Sequence, residues 1–213
     1  MFIKKFFLKI LKPNFLENER YAWIIKNIRN LPKGSSIIDI GAGEQMFMGI
    51  CEDLKYTSQD IAIYDGFGKE GLHTGTWDTS NIDIVSDATS IPVDDCSFDN
   101  ALCTEVLEHA PYPVKILNEI YRILKPGGKL IISVPNLLRL NNRLRMLLGK
   151  PPKDPFKYSN DGRYHVREYA ETELRQFFAP TDWEINRSKH LFYLFTRIIF
   201  LEKIKLSFTL LIF

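Results

Sequence analysis

Cysteine is scarce in this 213-residue sequence, and so are the patterns that would give it a role. The three cysteines, Cys51, Cys96 and Cys103, are odd in number and lack the CxxC or Cys/His spacing of a zinc site. We therefore predict reduced thiols, a cytoplasmic protein and no metal centre. No apolar run reaches the ~18–20 residues that a membrane-spanning helix needs, and no small-residue cleavage site follows the N-terminal apolar stretch. Neither a transmembrane span nor a signal peptide is predicted.

Net charge is also small, at +2, so bulk charge indicates no polyanionic partner. Its distribution is uneven: residues 39–119 contain sixteen carboxylates against three Lys or Arg. An acidic centre suits a site for a cationic ligand, and basic flanks suit an anionic surface or substrate. Hydrophobic residues make up 45% and charged residues 25%, which is typical of a globular chain. The length predicts a single domain over residues 1–213.

Short apolar runs alternate with helical patterns along most of the chain, which predicts a parallel sheet covered on both faces. The predicted strands are 37–40, 56–59, 82–85, 97–103, 129–134, 183–188 and 206–213. The predicted helices are 2–12, 17–30, 45–53, 113–124, 171–178 and 193–203. Between the strand 129–134 and the helix 171–178, residues 136–165 interrupt the alternation with a basic amphipathic segment and a Pro-rich loop.

A glycine turn directly follows the first predicted strand, in the run Asp39-Ile40-Gly41-Ala42-Gly43. Glycines here allow close approach of a ligand to the backbone. A dinucleotide site would need a third glycine at position 46, where the chain has Met46. Asp39 would repel a pyrophosphate and attract a cationic amino group. The turn therefore predicts a positively charged ligand without a pyrophosphate.

Two further carboxylates follow predicted strand ends, where ligands of open α/β sheets bind. Asp60 lies 19 residues after Gly41 and can accept hydrogen bonds from two vicinal ribose hydroxyls. Asp87 follows the third strand and can accept from the exocyclic amine of adenine. Either residue can instead be an ordinary loop aspartate.

These motifs, together with SFDNALCTEVLEHAPYP, NEIYRILKPGGKLIISVPN and YHVREYAETEL, resemble the class I S-adenosylmethionine-dependent methyltransferases over residues 35–180. The similarity is greatest to the bacterial branch of sugar, polysaccharide and lipid pathways. It implies an α/β, Rossmann-like fold with a seven-stranded, mostly parallel sheet, helices on both faces and an antiparallel last strand. The implied parts are N-terminal helices (1–33), a cofactor-binding core (34–135), a lid (136–165) and the C-terminal part of the sheet (166–213).

The resemblance also implies roles for individual residues around S-adenosylmethionine. Asp39, Gly41 and Gly43 would line the methionine moiety, and Asp60 would hold the ribose. The adenine edge would meet Asp87 and Ala88, and the pocket floor would be Thr104 or Glu105. The chain departs from the family pattern at Gln45, where another glycine is common, so we expect a narrower pocket or a different loop there.

Methyl transfer to a hydroxyl also needs a base, and histidine is the usual one. The two candidates are His109, after the fourth strand, and His165, after the predicted lid. Each can instead be a structural histidine bonded to backbone. A metal site of Glu105, Glu108 and His109 fits by spacing, but we predict none.

Two basic amphipathic segments, 1–12 and 137–148, contain lysines or arginines and no acid. They either lie on an anionic membrane surface at the inner face of the membrane or pack on the domain, with 137–148 as a lid over the substrate. The predicted methyl acceptor is a small molecule, a sugar, a glycolipid or a lipid-linked glycan, and it is methylated on oxygen. No nucleic-acid partner is predicted. The rivals are a catalytically silent methyltransferase-like subunit and a nicotinamide-dependent oxidoreductase.

Overall fold

Eight β-strands form one sheet in the computed structural model, which describes residues 15–62, 78–152, 166–178, 183–191, 196–203 and 208–210. The strands are β1 (Ser36–Ile40), β2 (Lys55–Asp60), β3 (Ile84–Val85), β4 (Phe98–Thr104), β5 (Leu124–Pro135), β6 (Trp183–Leu191), β7 (Thr196–Lys203) and β8 (Phe208–Leu210). The helices are α1 (Phe15–Arg29), α2 (Pro113–Ile123), α3 (Leu140–Leu147) and α4 (Glu171–Phe178). Two short 3-10 turns, Met48–Ile50 and Leu107–His109, complete the described elements.

The sheet order is β3-β2-β1-β4-β5-β7-β6-β8, and the first five of these strands are parallel. The order reverses at β1, from which the chain builds outward first through β2 and β3 and then through β4 and β5. Parallel strands place their carboxyl ends at one edge, and ligands bind where the order reverses. The residues after β1, β2 and β4 are therefore brought together, as the sequence predicts.

Burial along the central strands shows that both faces of the sheet are covered. Leu130, Ile131 and Ile132 are consecutive in β5, and none of them has any exposed surface. Successive side chains of a strand point to opposite faces, so cover on one face alone would leave every second residue exposed. The core adds Ile24 and Ile28 of α1. This agrees with the continuous apolar run that buried parallel strands show.

Two predicted helices are wrong. Residues 45–53 form turns and a single 3-10 turn. Gln45 has a left-handed φ of +56°, so no α-helix can include the residue at which the prediction began. Residues 196–203, inside the helix predicted over 193–203, form β7 instead. This strand pairs antiparallel with β5 over seven residues, from Lys129 opposite Glu202 to Pro135 opposite Thr196. An apolar stretch bordering a central strand gains more from completing the backbone ladder than from forming an isolated helix.

The strand β7 also explains why the described residues contain eight strands and not the predicted seven. β8 pairs antiparallel with β7 and parallel with β6. The antiparallel last strand predicted over 206–213 is described only at Phe208–Leu210, and it stays a prediction. The predicted helix 2–12 lies outside the described residues. Within the described residues, no helix is both long and apolar enough to cross a bilayer.

Candidate active site at the carboxyl edge of the sheet

The turn after β1 has a backbone that only glycine adopts without strain. Gly41 and Gly43 have φ of +67° and +52°. A Cβ at position 41 would lie 2.4 Å from Val106 Cγ2, in the loop after β4, so a side chain there would overlap that loop. Because Gly41 has no side chain, the ends of the neighbouring strands β1 and β4 can lie close together. The turn thus forms a backbone cradle of the kind that the sequence predicts.

Asp60 joins this turn to the end of β2. Its side chain is 1% exposed; Oδ2 accepts from the Gly43 amide at 2.9 Å and Oδ1 from the Ala62 amide at 2.8 Å. A carboxylate has about four acceptor positions, so each oxygen retains a lone pair for a further donor. Asp60 therefore fixes the glycine turn in addition to any ligand contact, a role that sequence reasoning missed.

Asp39 is buried beside Asp60, with 2% of its surface exposed. Burial raises the pKa of its carboxyl from 3.8 to about 7, a hydrogen bond from Tyr56 opposes this rise, and the Asp60 charge adds to it. Tyr56 Oη donates to Asp39 Oδ2 at 2.8 Å. A buried acid of this kind has a strong preference for a cation next to it, because a cation removes the cost of its ionisation.

Gln45 occupies a glycine-like conformation, and its side chain turns toward the β2 side of the sheet. Its Nε2 donates to Ser58 Oγ at 2.9 Å and to the Asn81 carbonyl at 2.7 Å. These two bonds hold the residue at its positive φ and tie the glycine turn to the segment before β3. The tether to Asn81 is a contact that the sequence pattern did not indicate.

The remaining predicted cofactor residues lie at the ends of β3 and β4. Asp87 is exposed, and its Oδ1 accepts from the amide and the hydroxyl of Thr89, both at 2.7 Å, which closes an Asx turn. Ala88 is half-buried against the core. Thr104 ends β4 and is half-buried, opposite Ser133 of β5. The edge therefore includes every cofactor residue that the resemblance implies.

Glu105 has two partners that sequence reasoning did not identify. Its Oε2 accepts from Arg20 Nη1 of α1 at 2.8 Å, and its Oε1 accepts from Ser133 Oγ at 2.7 Å. Arg20 also lies over the Tyr21 ring, 4.8 Å from its centre. Helix α1 is thereby attached to the carboxyl edge by an ion pair whose side chains are only 15% and 29% exposed. No short motif marks such a pair, because its members are 85 positions apart.

The turn Leu107–His109 contains one histidine candidate and a buried acid. His109 is half-buried and follows β4 by five residues, so it lies at the same edge. Glu108 is fully buried, and neither of its carboxylate oxygens has a hydrogen-bond partner among the described residues. Burial, and then the charge of Glu105, raise the pKa of Glu108 far above its usual value. His165, the other candidate, lies outside the described residues, which contain no cluster of three metal-ligating side chains.

A cavity of about 510 Å³ opens at the opposite, amino edge of the sheet, around Ser35, Asp99 and residues 125–129. Two of its lysines are already paired: Lys33 with Asp53 and Lys125 with Asp99, each at 2.8 Å. Ligands of parallel sheets bind at the carboxyl edge, and the glycine turn and buried acids lie there. We therefore assign the functional site to the carboxyl edge.

Comparison with known protein families finds a match over the strands that form this edge. Residues 38–132, which run from β1 into β5, match the family model described as "Methyltransferase domain". This part of the chain is therefore similar to a methyltransferase domain. The match begins one residue before Asp39 and contains the glycine turn, Asp60, Asp87 and Glu105.

Three curated relatives resemble the chain over about three-fifths of its length. An uncharacterized protein of Methanocaldococcus jannaschii is 32% identical, over 61% of this chain and 54% of the relative. A mouse tRNA (carboxymethyluridine(34)-5-O)-methyltransferase is 31% identical, over 57% of this chain and 18% of the enzyme. A demethylmenaquinone methyltransferase of Paenarthrobacter aurescens is 29% identical, over 55% and 45%. The chain thus spans about half, or less, of the relatives it matches.

Solved structures share the fold at low sequence identity. The 1,6-didemethyltoxoflavin-N1-methyltransferase of Burkholderia thailandensis, solved with bound 1,6-didemethyltoxoflavin and S-adenosylhomocysteine, has a TM-score of 0.56 at 18% identity. The similarity covers 92% of this chain and 87% of that one. It confirms the Rossmann-like methyltransferase fold predicted from the sequence. The number of strands and the branch of the family are not settled by this similarity.

Proposed function

We propose that this protein transfers the methyl group of S-adenosylmethionine to a hydroxyl of a small molecule, a sugar, a glycolipid or a related lipid-linked metabolite. The observation that carries the proposal is the joined glycine turn and Asp60 at the carboxyl edge, inside the matched methyltransferase domain. The acidic edge also fits a ligand that carries a positive charge.

The residues present fit the cofactor in three respects. The glycine turn carries no side chain at positions 41 and 43, and glycines let a ligand approach the backbone closely. Asp60 has acceptor capacity for ribose hydroxyls. A cation beside Asp39 stabilises the ionised form of its carboxyl, and the amino group of the methionine moiety supplies such a cation. Under this proposal Asp87 and Ala88 meet the adenine edge, and Thr104 and Glu105 form the floor of the pocket.

S-adenosylmethionine, when bound, supplies an electrophilic methyl group on a sulfonium with a good leaving group. The protein then contributes mainly position, by holding the acceptor oxygen in line with that group. A hydroxyl acceptor must lose a proton, and His109 at the carboxyl edge is the described candidate for the base. His165 is the alternative base.

Titration calorimetry of the purified chain tests the cofactor assignment, with S-adenosylmethionine and S-adenosylhomocysteine as ligands and NAD as the control. We expect micromolar binding of the adenosyl ligands and none of NAD. The residues after the glycine turn form a 3-10 turn, so no α-helix N-terminus is available there for a pyrophosphate. NAD binding would restore the oxidoreductase alternative, and binding without turnover on any acceptor would favour the silent subunit.

The acceptor is tested separately, by tritiated methyl transfer to glycolipid extracts, nucleotide sugars and tRNA. We expect label in an extracted glycolipid or sugar. The tRNA arm is included because one relative is named as a tRNA methyltransferase, although this chain spans only 18% of that enzyme. Labelled tRNA alone would contradict the proposed acceptor class.

A further inference from the structure

Helix α3 is attached to the domain through polar side chains. Asn142 is fully buried, and its Nδ2 donates to the Leu137 carbonyl and to Glu168 Oε2, both at 3.0 Å. Arg139, directly before the helix, pairs with Glu168 Oε1 at 2.7 Å, and their side chains are 9% and 0% exposed. The contact of this helix with the protein is therefore built from an amide, a guanidinium and a carboxylate.

The leucines of the same helix point away from the protein. Leu140, Leu144, Leu147 and Leu148 are 42%, 52%, 82% and 73% exposed. Their spacing of i, i+4, i+7 and i+8 places them on one stripe, and at about 100° per residue this stripe lies opposite Asn142. A surface helix ordinarily packs its apolar stripe against the core, and α3 has the reverse orientation. An outward stripe of this size indicates a binding surface.

Charge decides which partner this surface fits. Arg143 and Lys150 are exposed near the stripe, Arg145 is half-buried, and the sequence contains no Asp or Glu from 136 to 152. Leucines enter the acyl boundary of a bilayer while neighbouring cations meet anionic headgroups. A second copy of the chain docking face to face would bring these cations together with no carboxylate from this segment between them. The combination favours an anionic lipid surface.

The place of α3 in the fold connects this surface with the site. The helix begins five residues after β5 ends, at the carboxyl edge, and Asn136 bridges to Tyr169 there. We propose that α3 docks the protein on an anionic membrane surface through its leucine stripe, so that the methyl acceptor is presented from the lipid. The presentation of the methyl acceptor from the lipid rests on the proposed methyltransferase function, whereas the docking itself does not.

Vesicle flotation tests the docking with the full chain. Vesicles of phosphatidylcholine alone are compared with vesicles of phosphatidylcholine and phosphatidylglycerol in equal amounts. We expect binding to the anionic vesicles only, weakened by added salt. The variant Arg143→Gln/Leu147→Gln should reduce the partition coefficient at least tenfold, since one cation near the surface contributes about fivefold and an inserted leucine about tenfold or more. The control Val114→Gln/Lys115→Gln removes the same residue classes from α2 and should bind normally.

Three results would overturn the proposal. One is the absence of binding to anionic vesicles by the folded protein. Another is full binding by the Arg143→Gln/Leu147→Gln variant, which would assign membrane contact to a segment other than α3. The last is a dimer at working concentration that the same variant converts to a monomer, which would make a second copy the occupant. Calorimetry with S-adenosylhomocysteine on every variant separates loss of docking from failure of the proposed function.

Discussion

The buried acid Asp39 gives the sharpest prediction, in which a single substitution stabilises the protein and impairs its site. Replacing Asp39 with asparagine removes a carboxyl whose pKa is raised from 3.8 to about 7 by burial. Asparagine keeps an oxygen that accepts from Tyr56 Oη. The change therefore removes the ionisation and little else.

The sign follows from proton linkage. Because the folded-state pKa exceeds the unfolded one, the folded protein retains the Asp39 proton between about pH 4 and about pH 7, and stability falls as pH rises through this range. The shift of roughly three pH units corresponds to about 4 kcal/mol of unfolding free energy, at 1.36 kcal/mol per unit. Asparagine does not titrate, so the Asp39→Asn variant should gain up to about 4 kcal/mol relative to the wild type between pH 4 and pH 8.

Urea unfolding at a series of pH values measures this difference. Asp99→Asn is the matched control, because the pKa of Asp99 is lowered to about 2: burial opposes the shift, and hydrogen bonds from Lys125 and Ser36 outweigh it. Stability from Asp99 is present above its unfolded pKa and lost as pH falls toward 2, so that variant should be less stable by a constant amount above about pH 5. Parallel stability curves for wild type and Asp39→Asn would refute the reasoning.

The same residue predicts a pH dependence of cofactor affinity. If the cation of S-adenosylmethionine binds ionised Asp39, binding below about pH 7 must release the proton of the Asp39 carboxyl. The affinity for S-adenosylmethionine should then fall by up to tenfold for each pH unit below about pH 7. Calorimetry in two buffers of different ionisation enthalpy counts the released proton. Asp39→Asn should bind more weakly at pH 8 and show no such release. Equal proton release in both proteins would remove Asp39 from the methionine contact.

Four further predictions concern single contacts. Gly41→Ala should destabilise the fold by about 1–3 kcal/mol through its overlap with Val106, and Gly41→Ala/Val106→Ala should recover part of this in thermal unfolding. Gln45→Gly removes a strained φ but also two hydrogen bonds, so we expect nearly unchanged stability and faster hydrogen exchange in the glycine turn. Arg20→Ala should lower the unfolding free energy by about 1–2 kcal/mol, with Arg20→Lys retaining part of it by urea titration. Asn142→Leu should cost about 1–3 kcal/mol, although it makes α3 more apolar, and a gain in melting temperature would contradict the inward polar face.

Sequence reasoning brought the predicted cofactor residues to one edge of the sheet because its signals are local, and their roles stay predictions. The glycine turn, Asp60 and Asp87 each follow a strand, and parallel strands end at one edge whatever the details of packing. The helices α1, α2 and α4 also agree with their predicted ranges within a few residues. Their apolar spacing and the prolines at Pro32 and Pro113 are properties of consecutive residues.

The failures occurred where the outcome depends on partners distant in sequence. The stretch 196–203 has a composition that suits either helix or strand, and its pairing with β5 decides in favour of the strand. The sequence predicts that a helix starts at Gln45. In the structure, its bonds to Ser58 and Asn81 hold this residue in a left-handed turn. The ion pair of Arg20 with Glu105 joins residues that no spacing rule connects.

By itself, the sequence determined the α/β class and the acidic edge, since these follow from periodicity, glycine and charge over short stretches of chain. The tertiary structure alone decided the direction in which α3 faces. The amphipathic pattern of its leucines and arginines fits either orientation of the helix. Only the buried bonds of Asn142 and Arg139 to Glu168 turn the leucines outward. Burying the Glu168 carboxylate without these partners would carry a large desolvation cost, so its pairing outweighs the usual preference of leucine for the core.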